Sequence, residues 1–169
     1  MYFEGEEADD WRSCAISIIS RELREQILDD GGQFERSPMY HMLALEDVLD
    51  LLCLVAIYGE IDESVRMLRG QLEQVAGRML TWARAMRFED GSLPRLNDTA
   101  DGISPSPAEM DRVALELGLV DTLGASDDYL LAAAARADVF RVSYRARHSL
   151  PEKIMAAVRA AARSAARRG

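Results

Sequence analysis

A chain of 169 residues and 18.8 kDa has room for one domain. Its 49% hydrophobic and 29% charged residues are the composition of a folded protein rather than a disordered one. Lys and Arg number 20 against 29 Asp and Glu, and the net charge of −9 has the wrong sign for a general nucleic-acid binder, which needs a basic face toward phosphate. No apolar run reaches the ~18 residues of a membrane span, and the opening Met1-Tyr2-Phe3-Glu4-Gly5-Glu6-Glu7 lacks the basic start of a signal peptide. These features lead us to expect a cytoplasmic chain with neither a membrane nor a nucleic-acid partner.

The first predicted element covers residues 5–28. Ala15, Ile19, Leu23 and Ile27 recur every four residues, joined by Trp11, Ile16 and Ile18, while Arg21, Glu22, Arg24 and Glu25 can face water. Asp29-Asp30-Gly31-Gly32 is expected to stop the helix, with glycine supplying the left-handed backbone of its cap. After a short connection, Ser37-Pro38 is a helix-start signal, serine at the cap and proline in the first turn. The helix predicted over residues 38–58 is apolar nearly all round and needs neighbours on most sides. Gly59 ends it, and Asp62 or Ser64 opens a third helix running to about residue 87, with Val65, Leu68, Leu72, Val75, Met79, Ala83 and Met86 at three- and four-residue steps. Long helices joined by short turns imply antiparallel neighbours and a helix-on-helix core.

Residues 88–107 break the pattern, with prolines and glycines among Asn97, Asp98, Thr99 and Ser104; so long a loop in a compact domain is often functional. Ser106-Pro107 repeats the start signal, with Glu109 in capping-box position, and a short helix is expected to about residue 118. Further on, the pattern predicts an alanine-rich helix over residues 126–137, a strand over 139–145, and an Ala/Arg helix from residue 151. The charge changes sign here: residues 1–140 hold 12 basic and 28 acidic side chains (12 − 28 = −16), and residues 141–169 hold eight and one (8 − 1 = +7). Cys14 and Cys53 make neither a disulfide framework nor a metal cluster and are expected as small buried hydrophobes. Met39, Met42, Met67, Met79 and Met86 follow helical faces and are expected in the core.

Two loops concentrate the chemistry-bearing residues. In the first, Tyr40 and His41 fall in the opening turn of a helix, near the positive end of its dipole, a placement that favours anionic ligands. Arg36 beside them offers a forked donor for carboxylate or sulfate. Helix starts on one rim of a helical array can converge on a shared cleft. The blander alternatives are a core tyrosine with its hydroxyl satisfied, an exposed Glu35–Arg36 ion pair, and Asn97 and Asp98 as turn formers bonding their own backbone. No metal-ligand spacing, glycine-rich phosphate loop or nucleophile elbow is present, so no cofactor is expected.

The run from Glu22 through Asp30-Gly31-Gly32-Gln33-Phe34-Glu35-Arg36-Ser37-Pro38-Met39-Tyr40-His41 closely resembles the heparinase II/III family of polysaccharide lyases. Asn97-Asp98-Thr99 and Gly102-Ile103-Ser104-Pro105 look like a second stretch of the same family at a compatible distance. The resemblance covers residues 2–118. It implies an all-α fold, antiparallel helical hairpins forming part of an (α/α) toroid over residues 1–138. In the family this toroid is normally followed by a β-sandwich domain. The charge break instead leads us to expect a basic, irregular C-terminal tail over 139–169, carrying the Ala/Arg helix predicted from residue 151.

The function implied is cleavage of uronic-acid polysaccharides, heparan sulfate-like or alginate-like, by β-elimination. The C5 proton is removed by a base, and an acid protonates the departing 4-oxygen. By its place in the Ser-Pro-Met-Tyr-His run, Tyr40 matches the family's acid. Gln33, Glu35, Arg36, His41, Asn97 and Asp98 are the expected substrate-side residues, Gln33 standing where the closest relatives carry histidine. The family's carboxylate-neutralising asparagine and a further histidine find no counterpart, so the chain reads as a truncated or rearranged lyase of weak or no activity. A non-catalytic module that binds carbohydrate or dimerises through exposed helix faces is the alternative. A third reading is a glycoside hydrolase using Glu35 and Asp98 as paired carboxylates.

Overall fold

The computed structural model describes residues 4–58 and 62–120, and the elements expected after residue 120 lie outside them. Four α-helices make up the regular structure: α1 (Glu6–Gln26), α2 (Pro38–Tyr58), α3 (Glu63–Met86) and α4 (Pro107–Glu116). Among the described residues there is no strand, only an isolated antiparallel bridge between Ile27 and Gln33. The all-α expectation holds.

The start signals work as the chemistry demands. Ser37 Oγ accepts the Tyr40 N–H (3.4 Å), Asp62 Oδ1 accepts the Val65 N–H (3.0 Å), and Ser106 with Glu109 closes a full capping box. Helix direction follows from three contacts. His41 early in α2 bonds Met79 late in α3, so α2 and α3 are antiparallel. Arg12 early in α1 reaches Asp62 at the start of α3, and Gly31 after α1 meets Arg78 late in α3, so α1 runs parallel to α3.

The core lies where α2, α3 and α4 meet. Met42, Leu45, Leu49, Leu72, Met79 and Met110 are fully buried there. Inside it, Asp111 of α4 takes two bonds from the Arg84 guanidinium (3.0 and 2.8 Å) and one from Arg87 (3.1 Å), fastening α4 to the end of α3. A buried carboxylate with this many charged donors is the arrangement that offsets its desolvation. Cys53 is buried as expected, and burial, with the charges of Asp50 and Glu116, pushes its thiol up to about 11.

Several expectations change. α1 buries no residue completely; it leans on the core with Ile16, Ile19 and Leu23, and Trp11, Cys14, Ala15 and Ile18 are exposed. Cys14 therefore is not a buried hydrophobe, because among the described residues its side of the helix is left open. Met67 is likewise exposed, lying off the Val65–Leu68–Leu72 face that α3 turns inward. α1 also stops at Gln26, with Ile27 already extended, before the glycines are reached. Leu28 N–H donates to Gly32 O and Phe34 N–H to Gln26 O, so residues 26–34 form a small reversed loop rather than a glycine cap.

Candidate functional site

The two motif-bearing loops meet at the start of α2. In the first, Gly31 has φ +88°, and a Cβ there would lie 2.3 Å from the Arg78 carbonyl oxygen. A Cβ on Gly32 would lie 2.8 Å from the Trp82 indole nitrogen. The pair is required because the loop lies directly on α3, where only a backbone without side chains fits.

Gln33 and His41 lie beneath this loop. Gln33 is 4% exposed, and its Oε1 accepts the Glu35 N–H (2.9 Å), bracing the turn from below. His41 is fully buried and tilted against Trp82, with ring centroids 4.3 Å apart. Its Nδ1 accepts the Gln33 N–H (3.3 Å). Nε2 must then carry the proton, which it donates to Met79 O (3.0 Å). Burial holds this imidazole neutral, lowering its pKa to about 4. His41 is thus not a cleft-wall residue. It ties the loop, α2 and α3 together from inside, and Gln33 also faces inward.

The second loop grips the first from outside. The Asn97 side-chain amide donates to Glu35 O (3.1 Å) and Arg36 O (2.9 Å), filling both of its N–H positions. Thr99 Oγ1 donates to Leu96 O (2.7 Å) and accepts the Met39 N–H (3.3 Å). Its one proton being used, the Ser37 hydroxyl must be the donor in the 3.1 Å Ser37–Thr99 contact. A one-way chain results, from Tyr40 N–H through Ser37 and Thr99 to Leu96 O. The first-turn amides of α2 are therefore engaged within the chain: Met39 by Thr99, and Tyr40 and His41 by Ser37. The helix start does not present free N–H groups to an anion. Among the described residues, Arg36 and Asn97 are the non-glycine residues with left-handed backbone, φ 56° and 50°.

Phe34, Glu35, Arg36, Asn97 and Asp98 are exposed on the outer surface, and Tyr40 is half-buried. Among the described residues no ion pair joins Glu35 to Arg36 and no hydrogen bond is made by the Tyr40 hydroxyl. Asn97 is not the turn former of its own backbone that the sequence offered as the blander alternative: its amide nitrogen bonds the first loop, and its Oδ1 faces no donor among the described residues. Thr99 and Trp82 are the members that sequence reasoning passed over. Thr99 stands inside the quoted Asn97-Asp98-Thr99 motif, whereas Trp82 carries no local signal. A groove of about 470 Å³ lies elsewhere, between α1 and α2, with Ile18, Leu23, Leu51 and Leu54 on its floor and none of the predicted site residues in its lining. No group of three or more metal-ligating side chains is found among the described residues.

Fold and rim together define an all-α domain with two loops locked around one helix start. Residues 1–110 match the family model for the heparinase II/III N-terminus, and the chain belongs to that family. A heparin-sulfate lyase of Bacteroides stercoris is 32% identical over 95 residues, covering 56% of this chain and 14% of the relative. A heparin-sulfate lyase of Pedobacter heparinus is 44% identical over 36 residues, 21% of this chain and 6% of the relative. The chain thus spans only a small part of the length of the curated relatives it matches. No solved structure matches it.

Proposed function

We propose that this chain forms the acid-bearing part of a polysaccharide lyase, within part of an (α/α) toroid, that cleaves uronic-acid glycans by β-elimination. In that reaction a base takes the C5 proton, the C4–O bond breaks, a C4–C5 double bond forms, and the Tyr40 hydroxyl gives its proton to the departing oxygen. Arg36 faces a uronate carboxylate or a sulfate, for which its planar fork is suited. Glu35, Asp98 and Asn97 Oδ1 offer acceptors to sugar hydroxyls, while Gln33 and His41 hold the loop from within. One observation carries the reading: in a family whose relatives are named heparin-sulfate lyases, Tyr40 stands half-buried at a helix start with its hydroxyl unused among the described residues, two helix-start bonds from the exposed Arg36 loop.

The test is a titration with heparan sulfate or alginate at high protein concentration, followed by the ultraviolet absorbance of unsaturated uronate. Saturable binding and a slow absorbance rise are expected. Tyr40→Phe keeps the binding and loses the rise, and Arg36→Ala weakens binding about tenfold or more through the lost charge-assisted hydrogen bonds. Absence of binding contradicts the proposal; reducing ends released without the absorbance point instead to hydrolysis by Glu35 and Asp98.

A second reading, a non-catalytic helical module that binds carbohydrate or self-associates, draws support from the exposed Trp11, Ile18 and Leu54 along α1 and α2. It predicts a dimer in light scattering and glycan binding that is indifferent to Tyr40→Phe.

A further inference from the structure

We infer that Asn97, backed by Thr99, is a positioning residue: it holds the turn that carries Arg36 and the helix start that carries Tyr40 in the geometry a glycan meets. This inference rests on the function proposed above for Arg36 and Tyr40, but its structural half stands on contacts alone. Asn97 reaches across 62 and 61 residues of sequence to the Glu35 and Arg36 carbonyls that flank the strained Arg36 position. A left-handed arginine (φ 56°) is a conformation that side chains with a Cβ adopt reluctantly, and it persists where the surroundings fix it. Two N–H donors on the carbonyls of Glu35 and Arg36 fix the peptide planes on either side of that residue, and so the direction in which its guanidinium leaves the backbone.

The hydroxyl chain does the same for the neighbouring turn. Thr99 Oγ1 receives Met39 N–H directly, and through Ser37 it orients the acceptor of Tyr40 N–H. Residues 36 and 40, in one loop and one helix turn, are thereby referred to a common anchor in the second loop. Asn97 itself sits at φ 50°, which asparagine tolerates better than most residues and glycine better still. That tolerance supplies a clean variant: Asn97→Gly removes the donors without adding backbone strain.

The experiment compares the full chain with Asn97→Gly, Thr99→Val and Thr99→Ser by peptide-resolved hydrogen exchange, together with heparan sulfate affinity. The inference predicts exchange about tenfold faster over residues 34–41 in Asn97→Gly and Thr99→Val, with α3 and α4 protected as in the parent chain. Glycan affinity falls by a similar factor, and Thr99→Ser restores both. Unchanged exchange over residues 34–41 overturns the inference. So does faster exchange throughout the molecule, which would make Asn97 a general stabilising residue. If the loop loosens as predicted while the parent chain binds no acidic glycan at all, the positioning contact stands and the proposed function fails; if glycan binds the parent and Asn97→Gly equally well, the function stands and the positioning role fails.

Discussion

The motif from Asp30 to His41 has two sides that differ in almost every physical respect. Gly31, Gly32, Gln33, Ser37 and His41 are buried: the glycines lie on α3, His41 bonds α3, Ser37 bonds the second loop, and Gln33 bonds His41 and the turn at Glu35. Phe34, Glu35 and Arg36 stand in solvent, and Tyr40 is between the two. A run of residues that resembles an active-site signature is thus about half scaffold. What makes the inner residues obligatory is close approach to α3 and completed hydrogen bonding; the outer ones are those to which the proposed function gives a glycan.

The difference can be broken most forcefully at Gly31. Gly31→Ala places a Cβ against the Arg78 carbonyl at a left-handed position, and it is expected to remove more than about 4 kcal/mol, enough to leave the chain without a cooperative unfolding transition. Asp111→Asn, inside the core, tests whether α4 anchors the end of α3. It strands the two guanidinium groups and should cost about 3–5 kcal/mol in denaturant unfolding.

The inner side also predicts a pH dependence. His41 has a folded-state pKa of about 4, below the ordinary 6.5, so the unfolded chain binds more protons between those values. Stability from this group is fully present above about pH 6.5 and falls as the pH drops toward 4, by about 3 kcal/mol in all. His41→Gln should flatten that part of the profile. The smallest effects belong outside: Arg36→Ala and Tyr40→Phe should shift stability by no more than about 0.5 kcal/mol.

Much of this arrangement was legible in the residues. Ser37-Pro38 and Ser106-Pro107 with Glu109 announced helix starts because capping is local chemistry, and the structure keeps both. The Val65–Leu68–Leu72 stripe reported a covered face correctly. The α1 stripe, equally periodic, became a covered face only in part: Ile16, Ile19, Leu23 and Ile27 reach the core, whereas Trp11, Ala15 and Ile18 stand exposed, because periodicity tells which side is apolar and not how far a neighbour extends along it. Taken locally, the glycines predict a helix stop, their commonest use. Their actual reason, the contact with Arg78 and Trp82, comes from some 50 residues away and leaves no mark in the loop itself. A cleft position for His41 fails to match its burial for the same cause: its partners Trp82 and Met79 belong to α3. The role proposed for Tyr40 comes only from the resemblance, since one tyrosine at a helix start carries no chemistry by spacing alone.

Amide and side-chain chemical-shift mapping of the chain during titration with heparan sulfate oligosaccharides tests the two-sided motif most directly. Perturbations centred on Phe34–Arg36, Tyr40 and Asn97–Asp98, with the His41 ring and Gln33 side chain unmoved, are the predicted result. Shifts confined to the apolar groove between α1 and α2, or none anywhere at saturating glycan, would contradict it.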